Sequence, residues 1–173
     1  MLKNLTFQNF IRGIISGILS CLWKDASLFL AGIVFGLVVV LPWSKSYTRG
    51  MWQRWVCVGI SAVAYIVAAC FVFGFVMDWP LVKDWTGLAI KPPLPLPIWA
   101  AGLASFAGAS ILSTSVFFLN IQNKSKVIFE VVLTGTLFGF LFGKFVFSGF
   151  LFFVLWQSAV AAALSRAVPQ RKE

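Results

Sequence analysis

Histidine is missing from this chain of 173 residues. Its absence removes the usual haem axial ligand, the commonest zinc ligand and the commonest general base together. Carboxylates are scarce too: Asp25, Asp78, Asp84, Glu130 and Glu173 are the whole supply, and only Glu130 falls inside a long apolar run. No second acid stands near it to share general acid and base work. Nucleophile elbows, phosphate-cradling glycine loops and paired-metal spacings are also lacking. The three cysteines, Cys21, Cys57 and Cys70, have no metal-ligand spacing and read as buried free thiols. The expectation is a protein that is not an enzyme, with no cofactor and no metal.

Charge is the other shortage. Charged residues make up 11% of the chain against 60% hydrophobic and 17% aromatic, whereas a soluble domain carries about a quarter charged. The charges that exist sit in short clusters between long apolar runs, so the clusters read as loops and the runs as helices in lipid. The net charge of +9 would suggest nucleic acid in a soluble protein. Here the basic residues fall at the ends of apolar segments, where lipid headgroups lie, and the bilayer is the expected partner rather than nucleic acid.

Residues 1–24 carry apolar side chains at Phe7, Ile11, Ile14, Ile15, Ile18 and Leu22, with Gln8, Arg12, Ser16 and Ser20 on the opposite stripe. That pattern predicts an amphipathic helix lying in the interface, because Arg12 near its middle would cost about 2.5–3.5 kcal/mol in a crossing helix. Gly13 and Gly17 are spaced equally well for a packed spanning helix. Ile18, Leu19 and Ser20 before Cys21 faintly resemble a lipoprotein signal, but Leu19 fits poorly and no cleavage is expected.

Spans are expected at about 26–43, 55–77 and 98–121, with a broken or hairpin segment over 127–165. Straight through, that last stretch would be about 60 Å long, twice the hydrocarbon thickness. Gly143, Lys144, Ser148 and Gly149 offer the turn. Between the second and third spans, 78–97 is rich in Trp and Pro, and its prolines forbid a continuous helix. Trp79, Trp85, Pro92 and Pro93 mark it as a candidate partner loop, a stiff connector being the plainer reading.

The expected fold class is an all-α integral membrane protein, a bundle of four firm transmembrane helices, in a range of four to six, with an N-terminal amphipathic helix. Six crossings with both ends inside would divide Lys and Arg nine to four with Arg12 embedded, and four crossings would divide them eight to five with Lys144 embedded. The charge rule favours six, the cost of inserting 5–23 favours four.

Small residues at helical spacing are the most specific signal. Gly32 and Gly36, then Ala101, Ser105, Ala109 and Ser113, then Gly135, Gly139 and Gly143, form faces on which another backbone can approach closely. Among intramembrane polar groups, Arg12, Glu130 and Lys144 are the candidates for a polar path. Against that, Lys126 stands four residues before Glu130, the spacing of a boundary salt bridge, and Lys144 suits a turn.

These features point to a non-enzymatic, multi-pass subunit of the inner (plasma) membrane that forms homo-oligomers or docks on a larger assembly, in an accessory role in envelope, immunity or defence. The alternative is a small transporter or channel component with a polar path through Glu130.

Overall fold

The computed structural model describes residues 2–22, 28–48, 50–76, 98–142 and 150–166. Among them the chain is helical, with no strand. Helix α1 is Leu2–Leu22. A second rod is built of α2 (Leu28–Phe35), a π-helical turn (Gly36–Val40) and α3 (Leu41–Lys45). Then come α4 (Met51–Val76), α5 (Ile98–Ser113) with a 3-10 turn at Thr114–Phe118, α6 (Lys124–Phe142) and α7 (Phe150–Arg166).

The helix bounds depart from the expected spans for identifiable reasons. Pro42 does not end the second rod, which runs on to Lys45. A proline lacks the N–H that would bond to the carbonyl four residues back, and its ring crowds that carbonyl. The turn ahead of it widens instead, so that Leu41 N–H donates to Gly36 O, five residues back. Helix α4 begins four residues before the expected start at 55, because Thr48 ties its first turn. The Thr48 hydroxyl bonds to the Gln53 side chain and accepts from Gly50 N–H at 3.2 Å, while Arg54 Nη2 donates to Thr48 O at 3.0 Å. The third span closes early in a 3-10 turn, where Ser113 and Thr114 hydroxyls donate back to Ser110 O and Ile111 O, both at 2.7 Å.

The 127–165 stretch is two helices, α6 and α7, packed against each other on either side of 143–149. The expectation of four firm crossing helices is narrowed. Among the described residues, two helices are long and apolar enough to cross a membrane by themselves, Met51–Phe71 and Trp99–Phe118, and Leu30–Lys45 is a shorter apolar one. The remaining rods carry polar residues, or fall short in length, as Asn9 and Arg12 in α1 and Gln157 in α7 illustrate.

Contacts between helices fix their directions. Gly32 lies against Ala62 and Gly36 against Val58, so the second rod and α4 run antiparallel. Cys57 meets Ser115 and Ala68 meets Gly108, giving α4 against α5. Gly135 meets Ala109 and Gly139 meets Ser105, giving α5 against α6. Trp156 of α7 reaches Gly135, giving α6 against α7. Finally α1 lies along α7, Asn9 bonding to Ser165 and Gly13 sitting on Ser158. Each rod touches its successor and the first rests on the last, so the bundle closes into an up-and-down ring.

The centre of that ring is aromatic. Trp156 stands edge-on to Tyr65, ring centroids 5.6 Å apart, and Phe35 lies 6.0 Å from Tyr65 and 6.4 Å from Trp156. These three buried side chains come from three different rods and tie them across the axis.

Candidate functional site

Two of the small-residue faces read from the sequence, those of α5 and α6, lie against each other. Ala101, Ser105, Ala109 and Ser113 are all buried on α5. A methyl group added at Gly139 would collide with the Ser105 side chain and come within 2.9 Å of Ala101 O. One added at Gly135 would lie 2.7 Å from the Ala109 Cβ. Close approach exposes the backbone as an acceptor: the Trp156 indole N–H donates to Gly135 O at 3.1 Å. Gly32 and Gly36 serve the second rod in the same way, and Ser61 Oγ donates to Gly32 O at 2.9 Å. Gly143 lies outside the described residues, as do Lys144, Trp79, Trp85, Pro92 and Pro93.

The interface of α1 with α7 is polar, which spacing alone did not reveal. Ser16 and Asn9 are buried there, and Arg12 and Ser20 are half-buried. The Asn9 amide donates to Ser165 Oγ, and Arg12 Nη1 donates to Asn9 Oδ1 at 2.9 Å. Farther along, Gln157 Nε2 donates to Ser20 Oγ at 3.2 Å, Ser20 Oγ donates to Ser16 O at 2.8 Å, and the Tyr65 phenol stands beside the Gln157 amide. The opposite face of α1, with Phe7, Ile11, Ile15 and Ile18, points outward. Its polar stripe is thus largely the inner one, Gln8 excepted. Gln157, a single amide in an apolar run, was the signal available in the sequence.

Arg12 and Glu130 are not brought together. Arg12 turns back to Asn9, whereas Glu130 Oε1 faces Lys126 Nζ at 3.8 Å on its own helix. Lys126 is well exposed, and such a pair contributes about 0–1 kcal/mol. Among the described residues no three of His, Cys, Asp and Glu come together in a way that would hold a metal.

One end of the ring gathers the described basic residues. Asn120 N–H donates to Tyr47 O at 3.0 Å, joining the turn after α3 to the turn before α6. Trp43 packs on Tyr47, centroids 5.6 Å apart, and Trp52 meets Phe118 edge-on at 6.4 Å. Burial raises the Tyr47 phenol above its ordinary pKa. Lys124 Nζ donates to Phe117 O at 3.4 Å and stands 5.9 Å from that ring. Arg54 and Lys126, placed by the sequence in loops, occupy the opening turns of α4 and α6.

No protein-family model matches this chain, and neither a curated protein nor a solved structure does. The class defined by the coordinates is therefore an architectural one. Among the described residues it is a helical bundle with two helices long and apolar enough to cross a bilayer and small-residue faces between neighbours.

Proposed function

We propose that this protein is a non-enzymatic, multi-pass subunit of the inner (plasma) membrane, working as a homo-oligomer or as part of a larger membrane assembly in an envelope, immunity or defence role. The observation that supports it is the apolar exterior, set against polar side chains in the interior. Phe7, Ile15, Trp55, Phe106, Phe129 and Leu141 face outward from four rods, while Asn9, Ser16, Ser61, Ser105 and Gln157 are buried. In water such an arrangement exposes a large apolar surface, and contiguous apolar patches of more than a few hundred Å² are rare on soluble monomers. In a bilayer it is the stable one, since lipid solvates the outer face, while inside Asn9 bonds to Ser165, Gln157 to Ser20 and Ser61 to Gly32 O.

In this reading every rod crosses the membrane, α1 included, and the crossings number six. The Arg12 guanidinium leans away from the middle of its helix. It reaches Asn9, and Asn9 meets Ser165 one residue before the last of α7, so the charge lies toward the basic end. Side chains that snorkel in this way lower the insertion cost weighed against α1. A transporter role through Glu130 gains nothing from the geometry, because its near charge is Lys126 at that same end.

Extraction in a mild detergent followed by native mass measurement tests the proposal. The expected result is a particle of several copies, or one that retains another membrane protein. A lone monomer over a range of mild detergents would overturn the subunit reading.

A further inference from the structure

We infer that the end of the bundle formed by the 45–54 and 119–126 segments is a docking face for anionic phospholipid headgroups, which sets the bundle's orientation in the membrane. This rests on the membrane reading above and names the partner of one of its faces.

The alternation of helix directions gathers the charge. Lys45 closes α3, Arg54 lies in the opening turns of α4, and Lys124 and Lys126 open α6. The Asn120–Tyr47 bond holds these segments side by side. From the point where Trp156 meets Gly135, the chain runs nine residues back to Lys126 and ten forward to Arg166, so antiparallel α7 delivers Arg166 to the same end. The Arg12 guanidinium, at the middle of α1, turns toward that end to reach Asn9. Among the described residues the one acid at this end is Glu130, already beside Lys126.

By sequence, the links 23–27, 77–97 and 143–149 are nearly balanced, with Lys24, Lys83, Lys91 and Lys144 against Asp25, Asp78 and Asp84. Among the described residues, Lys45, Arg54, Lys124, Lys126 and Arg166 thus share one end of the bundle.

What surrounds those cations specifies a lipid rather than a soluble anion. Trp52, Trp55, Phe117 and Phe118 are exposed in the same layer, and aromatic rings beside Lys and Arg are the residues that settle at headgroup depth. Immediately farther along the helices the outward side chains are apolar, as Val63 and Leu133 are. A phosphate reached by Lys45, Lys124 or Lys126 thus has a place beside it for its acyl chains. Each basic residue near an anionic leaflet favours contact about fivefold, and screening by salt weakens it.

The test uses the full chain in vesicles of equal parts phosphatidylcholine and phosphatidylglycerol, with the lipids kept by the released protein identified by native mass spectrometry. Wild type should retain phosphatidylglycerol severalfold over phosphatidylcholine, less so in 0.5 M salt. K45Q/K124Q/K126Q should retain the two near the bulk ratio. K45R/K124R/K126R should keep the preference, and K144Q at another position should leave it intact, which separates a lost site from a lost fold. Retention by wild type at the bulk ratio, or an undiminished preference in the glutamine variant, would overturn the inference while leaving the membrane reading in place. A protein that keeps no lipid and stays dispersed without amphiphile would overturn both.

Discussion

The glycines are not equivalent. Gly139 is seated so tightly on Ser105 and Ala101 that a methyl group has no room, whereas at Gly59 an added methyl would meet nothing within 4 Å. Overpacking of that kind costs about 1–3 kcal/mol. An alanine in an open helical position instead recovers up to about 1 kcal/mol of backbone propensity. Gly139→Ala should therefore lower the thermal unfolding temperature in detergent, and Gly59→Ala should hold or raise it. Equal losses at both positions would mean that the α5–α6 seat is not where the stripes interlock. Composition makes the two residues look alike. What separates them is the identity of the facing helix, and the sequence supplied part of that by placing Ala101, Ser105 and Ala109 at matching intervals on another helix.

At the scale of elements, α1 shows what periodicity reports and what it omits. A two-faced pattern fixes which residues share a face, but in lipid it does not say which face is turned inward. The stripe with Arg12, Ser16 and Ser20 suggested headgroups outside; in the fold its partners are Asn9, Gln157 and Ser165, the last two more than 130 positions away, so no local spacing discloses them. The hairpin of α6 and α7 was legible because its length exceeded any bilayer, and the π-helical turn was not, since Pro42 alone reads as a stop. A double-mutant cycle checks the α1 seat. Asn9→Leu, Ser165→Ala and the pair, unfolded in mixed micelles, should give a coupling of about 0.6 kcal/mol, the usual size for buried polar pairs between membrane helices. Additive effects would place α1 away from α7, as a helix merely resting in the interface would be.

For the whole molecule, the decisive question is what touches the outside of the ring, and Cys70 lies where the answer can be read. Its thiol is exposed on α4, on the outward line that also carries Trp55, Gly59, Val63 and Ile66. At 1.5 Å per residue it stands about 22 Å beyond Trp55. If Trp55 marks headgroup depth, that is still inside a hydrocarbon layer about 30 Å thick. Cys57, on the same helix, is buried within the bundle. A charged, membrane-impermeant maleimide separates the two causes of protection. In water, Cys70 should react readily and Cys57 should not. In a bilayer neither should react until the protein is dissolved in SDS, when both are labelled. Mapping the modified peptides before and after SDS resolves the cases, and rapid labelling of Cys70 in intact membranes would mean that the apolar exterior faces water, leaving the membrane reading without its support.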